Sequence, residues 1–389
     1  MPSSIGDTLR VSVFGQSHSE AIGCVVEGLP SGLPVDMGRL GAFMARRAPG
    51  QGPWATARRE ADQPRILSGL NGRGETCGAP LCAVISNTDT RPGDYDNVRA
   101  VPRPGHADLA AWAKWHGNQD PSGGGHFSGR LTAPLCVAGG IALQELERRG
   151  VRVRAHLLEV AGVADEAFAA LDCSKESRAL LSAQMEALEG KDGPAVIDDD
   201  ARDAMLAAID EARREGDSVG GVIECVACGL PAGIGSPMFD GLENAIARMA
   251  FAIPAVKGVE FGRGFEAARL RGSENNDPIR VRDGRAVCET NNAGGILGGI
   301  STGEPVLMRI AVKPTPSIAR QQRSVDLREM RDEALEIRGR HDPCIAPRAV
   351  PVAEAVMALA LLDAWLTNPA EGREASDADD GREAKHERA

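Results

Sequence analysis

Apolar and polar positions alternate in LRVSVFG and IGCVVEGL, which predicts two strands around a glycine-containing turn over residues 8–29. A helical period follows at 36–47, with Asp36 as its N-cap. Further strands are expected at 80–85, 151–163, 221–229 and 306–312. Helices are expected at 135–149, closed by Gly150, and at 177–188, 201–215, 239–252 and 352–366. Residues 48–62, rich in Gly, Pro and Arg, read as a mobile loop. Strands and helices intermix without a βαβ rhythm, so the expected class is α+β.

One similarity within the chain bears on domain organisation. GCVVEGLPSGLP at 23–34 resembles ECVACGLPAGIG at 224–235, and a helical pattern follows each. Strand, turn and helix recur in the same order, which suggests an internally duplicated unit spanning 1–366, its second half starting at about 220. The remainder, 367–389, has no bulky apolar residue after Thr367 and is expected to be a disordered acidic tail.

Composition narrows the partners. The net charge of −11 and the scarcity of aromatic residues (8 Phe, 4 Trp, one Tyr at position 95) argue against a nucleic-acid surface. Local arginine clusters still suit small anions. Nine irregularly spaced cysteines and an N-terminus without a signal-peptide pattern point to the cytoplasm. The longest apolar run, near 356–365, contains Asp363, so no membrane span is expected. The one CxxC pair, Cys225 and Cys228, lies in a strand pattern with no second pair at zinc spacing.

Candidate chemistry gathers in a few segments. FGQSH carries Ser17 and His18, RPGHAD carries Arg103, His106 and Asp108, and GRHDP carries Arg340, His341 and Asp342. GGGHFSGR places His126, Phe127 and Ser128 after three glycines, with Arg130 following. Glycine runs let backbone N–H groups converge on an anion. ETNNAGGILGGISTGEP offers a second such run, and Lys313 with Thr315 and Ser317 adds a cation and two hydroxyls at a strand end. Neither run matches a dinucleotide or phosphate-loop fingerprint. A lone histidine near a turn is usually a surface or capping residue, and His116, His156 and His386 read that way. Four His/Arg/Gly-rich segments in one chain instead predict an enzyme for a small phosphorylated anion, with no metal.

These segments resemble chorismate synthases from residue 8 to about 366. The matching stretches include FGQSHSEAIG, EGLPSGLP, RRAPG, RPGHAD, SGGGHFSGR, IPAVKGVEFG, TNNAGGILGGISTGEP, KPTPSIA and GRHDPCIAPRAVPVAEA. The middle region, 165–217, carries none of the likeness. The resemblance implies a single duplicated α+β domain with a helical core between antiparallel sheets, assembled as a homotetramer. It implies an anti-1,4-elimination of phosphate from 5-enolpyruvylshikimate-3-phosphate to give chorismate, dependent on reduced FMN. Carried over by position, His18 protonates the leaving phosphate, His106 faces the flavin, and Asp342 takes the proton relayed through flavin N5. Ser17, Arg47, Arg130 and Arg340 fall at substrate positions. Arg47, His126, Phe127, Ser128, Pro254, Ala255, Gly298, Lys313, Pro314, Thr315, Pro316, Ser317 and Arg340 fall at cofactor positions. The chain departs from the family form GGGRSSAR at His126 and Phe127, and Pro53 stands where a second arginine is common. Two other readings are a flavin-binding protein without this activity and an NADPH-dependent flavin reductase. Intact His18, His106 and Asp342 favour the lyase, with NADPH as the candidate reductant of FMN.

Overall fold

The computed structural model describes residues 3–50, 52, 54, 60–89, 99–191, 193–282, 284–337 and 342–369. Tyr95, Pro53, Arg340, His341, His386 and nearly all of the tail lie outside that set.

The first sheet is built from β1 (Ser4–Ile5), β2 (Arg10–Gly15) and β3 (Ala21–Glu27), then, after helix α1 (Met37–Arg47), β4 (Arg65–Ser68) and β5 (Leu81–Ser86). It is antiparallel, in the order β1-β2-β3-β5-β4. Strand alternation turns Ile22, Cys24 and Val26 of β3 and Leu81, Ala83 and Ile85 of β5 into the core. Asp36 caps α1 as expected, its side chain accepting from the Gly38 and Arg39 amides. Helices α2 (Asp108–Trp115) and α3 (Thr132–Arg148) follow.

The second sheet starts with β6 (Arg152–Val160) and β7 (Val163–Ala164). Helices α4 (Lys175–Ala187) and α5 (Asp199–Arg214) precede β8 (Gly221–Cys228), which leads into α6 (Leu242–Ala250) and β9 (Val256–Phe261). The short helix α7 (Gly272–Asn275) and two hairpins come next: β10 (Ile279–Arg282) with β11 (Arg285–Cys288), and β12 (Ile296–Leu297) with β13 (Ile300–Ser301). Strand β14 (Val306–Val312) completes the antiparallel order β7-β6-β8-β14-β9. A hairpin of β15 (Gln322–Asp326) and β16 (Arg331–Leu335) leads to the last helix, α8 (Ala346–Thr367).

Helices α3 and α8 lie together between the two sheets, so the class is α+β with a helical core. Their backbones touch at Gly139, where a Cβ would come 2.3 Å from the Ala355 Cβ. Long, apolar α8 has the length and composition of a membrane span, yet its most apolar window is 83% buried inside the protein, as befits a core helix.

Several boundaries differ from the sequence expectation. Helix α8 begins at Ala346 rather than 352, because Pro347 is tolerated in the first turn and Pro351 is carried within the buried helix. The expected 239–252 helix is shortened to Leu242–Ala250, with Met238–Asp240 a separate 3₁₀ turn. The expected 151–163 strand breaks at Ala161, whose φ of 53° turns the chain into β7. The strands β4 and β9, the helix α2 and the hairpins β10–β11 and β15–β16 were not foreseen.

The two GLP turns occupy matching places. Gly28 (φ 82°) ends β3 and packs on the Thr8 carbonyl, and Gly229 (φ 91°) ends β8 and packs on the Gly150 carbonyl. The Thr76 hydroxyl donates to the Pro30 carbonyl and accepts from the Leu33 amide. The Ser301 hydroxyl does the same with Pro231 and Ile234. The sheet orders β2-β3-β5-β4 and β6-β8-β14-β9 correspond strand for strand.

The middle region packs outside this frame. Phe168, Leu181, Met185 and Leu188 cover Val226 and Leu307 on the outer face of the second sheet. His156 of β6, fully buried, bonds Asp165 at 2.8 Å through Nδ1 and Glu224 at 3.2 Å through Nε2. That makes it a buried structural residue, against the sequence reading of a surface or capping histidine, because both ring nitrogens find carboxylate partners inside the protein.

Candidate active site

Strand β2 ends at Gly15, whose φ of 98° turns the chain sharply into the FGQSH segment. Ser17, buried, donates its hydroxyl to the Ser122 carbonyl at 3.0 Å. Having used its proton there, Ser17 Oγ accepts from His18 Nδ1 at 2.8 Å. The His18 ring lies against Gly123, where a Cβ would come 2.5 Å from its Cε1. No side chain fits between the histidine and the glycine run.

RPGHAD forms the adjoining wall. Arg103 spans Asp108 with two hydrogen bonds, Nε to Oδ2 at 2.7 Å and Nη2 to Oδ1 at 2.8 Å, and also donates to the Gly123 carbonyl at 2.8 Å. His106 Nδ1 meets Asp108 Oδ1 at 2.5 Å. Burial works to raise the Asp108 pKa, but the hydrogen bonds from Arg103 and His106 outweigh it and hold this carboxyl well below the usual range.

Two arginines meet over one buried carboxylate. Arg47, the last residue of α1, donates to Thr132 Oγ1 and to the Gly129 carbonyl, each at 3.1 Å. Its Nη1 bonds one oxygen of Asp62, and Arg130 Nη1 bonds the other. Arg130 Nε also donates to Asn87 Oδ1 at 2.9 Å. Burial, with Arg47 beside it, lowers the Arg130 pKa despite Asp62. At the foot of α8, Arg348 Nη1 donates to Asp342 Oδ2 at 2.6 Å, and burial lowers the Arg348 pKa in turn.

These groups surround a cavity of about 550 Å³. Its wall includes Arg47, Arg103, His106, Arg130, Asp342 and Arg348, with His126, Phe127 and Ser128 from the glycine run. Pro254 and Ala255 line it, as do Lys313, Thr315, Pro316 and Ser317. The Lys313 amide donates to the Ala255 carbonyl at 2.9 Å, which draws these two segments together. Burial, with Lys257 nearby, lowers the Lys313 pKa. Ser17 and His18 stand one residue behind the lining, across Gly123. Pro314 and Gly298 are not among the lining residues, and Gly298 sits in the β12–β13 turn with φ 62°. Arg340 lies outside the described residues.

The His126 ring contacts Ser3 Oγ at 3.0 Å and the Gly15 carbonyl at 3.2 Å, tying the glycine run to the first sheet. Phe127 forms an apolar wall, 5.8 Å from the Trp115 ring centroid. Sequence reasoning did not assign Asp62, Thr132 or Arg348. Arg348 was hidden by the late start predicted for α8, and Asp62 by its place at the edge of an apparent loop. Among the described residues no group of three potential ligands could hold a metal.

Among the described residues, two buried polar atoms of cavity-lining side chains, Arg130 Nη2 and Thr315 Oγ1, have no hydrogen-bond partner, with Glu60 3.9 Å from the former. Buried donors are rarely left unmade, so both are placed for a ligand carrying acceptors. Fold and cavity together define an α+β protein whose conspicuous pocket is lined by arginines and histidine. A family model for chorismate synthase matches residues 9–366. The chorismate synthase of Lancefieldella parvula is 49% identical over 95% of this chain and 98% of its own length. That of Archaeoglobus fulgidus is 47% identical over 93% and 97%. A crystal structure of chorismate synthase superposes with a TM-score of 0.71, at 26% identity and 93% coverage of both chains. The chain belongs to the chorismate synthase family, lyases of the shikimate pathway.

Proposed function

We propose that this protein converts 5-enolpyruvylshikimate-3-phosphate to chorismate by anti-1,4-elimination of phosphate, with reduced FMN as cofactor. The observation that carries the reading is the convergence of His106, Arg47, Arg130, Asp342, Lys313, Thr315 and Ser317 on one cavity, with two buried donors that make no hydrogen bond among the described residues. The donor set fits a flavin mononucleotide and a polyanionic substrate side by side. Lys313, Thr315 and Ser317 suit a phosphate, while Phe127, Ile253 and Pro254 offer an apolar wall for a ring system. When bound, reduced FMN supplies the electron density that helps expel phosphate from a carbon not adjacent to an acidic hydrogen.

The chain's own groups bind and move protons. Arg47 and Arg130 hold substrate oxygens with guanidinium donors oriented by Asp62, Thr132 and Asn87. Arg340 is assigned to the same task by its place in the motif. His18, its Nδ1–H held by Ser17, delivers a proton from Nε2 to the departing phosphate. His106 faces the cofactor and stabilises charge on it. Asp342, with Oδ2 held by Arg348, is the carboxylate that accepts the proton lost from the substrate. His126, Ser128, Pro254, Ala255, Pro314, Pro316 and Gly298 are assigned to cofactor contact by the same motif positions.

An anaerobic assay with chemically reduced FMN, reading phosphate and chorismate together, tests this. Protein that binds FMN yet releases no phosphate would overturn it. Replacing the chemical reductant with NADPH distinguishes a self-reducing enzyme from one served by an external reductase. Asp342→Ala should slow turnover by orders of magnitude with an unchanged circular dichroism spectrum; a wild-type rate would remove Asp342 from the mechanism. The same reading makes the protein a cytoplasmic homotetramer whose residues 1–366 form one unit of two repeated halves.

A further inference from the structure

Asp108 has an ordinary structural explanation. It is the first residue of α2, where a carboxylate favours the helix N-terminus, and Oδ2 accepts from the Arg103 amide at 3.0 Å. That explanation accounts for one oxygen only. Oδ1 is directed at His106 Nδ1, 2.5 Å away, and Arg103 Nη2 donates to the same oxygen at 2.8 Å while lying 3.2 Å from Nδ1. A carboxylate without its proton can only accept, and its approach to Nδ1 is much the shorter of the two, which puts the hydrogen on His106 Nδ1. The opposite ring nitrogen, Nε2, is then left on the side where His106 lines the cavity. Arg103 itself is buried and cannot release Asp108 without abandoning the Gly123 carbonyl, against which His18 packs.

We propose that Asp108 is a positioning residue for the reaction: clamped by Arg103, it fixes His106 as the Nδ1–H form and aims Nε2 at the cofactor. The inference rests on the reading of His106 as the group that faces the flavin. Asp108 touches neither substrate nor cofactor, and its effect passes through the ring it holds. A neighbouring carboxylate sets the tautomer and orientation of many catalytic histidines, and replacing it by the amide presents the ring with a donor where it needs an acceptor. Here the amide's direction follows from the donors, two from Arg103 at Oδ2 against one at Oδ1. Arg103 Nε and the Arg103 backbone amide both donate to the Oδ2 position, so an asparagine keeps its oxygen there. Its NH₂ then faces His106 Nδ1 and pushes the ring hydrogen to Nε2.

The test uses three variants, Asp108→Asn, His106→Ala and the double mutant. Long-range proton–nitrogen correlation spectra of histidine-labelled protein, free of flavin and at alkaline pH, read the tautomer. The His106 signal is identified by its loss in His106→Ala. We expect Nδ1–H in the wild type and Nε2–H in Asp108→Asn. In the anaerobic assay Asp108→Asn should lower kcat about 100-fold with a smaller change in KM, well within the loss known for such histidine–carboxylate pairs. In the His106→Ala background the same substitution should cost less than about 3-fold, because non-additivity marks residues acting as a unit. An unchanged tautomer, or an equal loss in both backgrounds, would overturn the proposal and leave Asp108 as a helix-end residue. If Asp108→Asn fails to fold, Asp108→Glu keeps the carboxylate and must keep the Nδ1–H form; an Nε2–H spectrum there also overturns it. Wild-type turnover in His106→Ala sinks the reading of the site by itself, whereas the spectrum judges the hold of Asp108 on the ring independently.

Discussion

Asp62 joins the two arginines assigned to the substrate. Its side chain is fully buried, each oxygen takes one guanidinium, and its φ of 49° is a left-handed conformation that Asp tolerates better than most residues. Glu60 lies 3.9 Å from Arg130 Nη2, so this cluster sets the Arg47 and Arg130 guanidinium groups against two carboxylates before any ligand enters. Asp62→Asn should therefore destabilise the fold by about 3–5 kcal/mol, the usual cost of stripping a buried ion pair of one partner. Urea unfolding monitored by circular dichroism checks it, and a loss under about 1 kcal/mol would show that the arginines are solvated instead. The site was partly legible at this scale. Short glycine- and histidine-rich motifs advertise themselves because backbone and ring must approach a ligand. Asp62 and Arg348 do not, because a carboxylate and a guanidinium look alike in sequence whether they face water or each other.

At the scale of elements, glycines separate open surface from close contact. Gly139 of α3 meets the Cβ, Cα and carbonyl of Ala355, all within 2.8 Å of where its own Cβ would lie, whereas Gly41 of α1 has nothing within 4 Å. Gly41→Ala should stabilise the protein by up to about 1 kcal/mol through helix propensity. Gly139→Ala gains the same propensity but must push a pair of buried helices apart, at a cost of about 1–3 kcal/mol for overpacking. Thermal unfolding should move in opposite directions for the two variants, and a shift the same way would contradict the close crossing.

The clasp at His156 gives a second element-scale prediction. Burial opposes all three charges, yet the hydrogen bonds outweigh it: the His156 pKa is raised while those of Asp165 and Glu224 are lowered. The histidine's contribution is thus full below about 6.5 and lost as pH rises through its folded value. The carboxylates' contribution is present above about 4 and lost as pH falls through theirs. Urea midpoints of the wild type should decline on the alkaline side relative to His156→Gln; parallel curves would mean the ring is neutral in the folded state. Residues 165–198 depend on this clasp, because Phe168 donates its amide to Glu224, and Ile197 and Asp198 donate theirs to Asp165. None of that was visible in sequence, where His156 is one polar residue in an alternating strand.

For the whole molecule, the mix of strands and helices was readable from local period. The helical core between antiparallel sheets came instead from the family resemblance, because α8 is buried on nearly every side and carries no amphipathic stripe. Short strands such as β4 and the hairpin β15–β16 exist only through pairing with distant segments, so local pattern could not reveal them. The two GLP turns take matching places, and the Thr76 and Ser301 hydroxyls brace them alike, which supports the proposed repeat. The proposed tetramer can be tested at one exposed apolar spot, where Met238 (73% exposed), Phe239 (83%) and Leu297 (57%) lie near the β12–β13 turn. Phe239→Asp should shift the sedimentation profile toward smaller species, while an unchanged mass would place the subunit contact elsewhere.

Asp363, near the end of α8, accepts the backbone amides of Asp7, Thr8 and Leu9, the last of these 354 positions away. Between those anchors, α3 packs on α1 and the first sheet, but the face that meets Ala355 stays uncovered until α8 is made. A nascent chain therefore carries one bare face of its central helix for most of translation. The core can close only after synthesis, and the burden of keeping that apolar face from other chains falls on whatever binds it in the meantime.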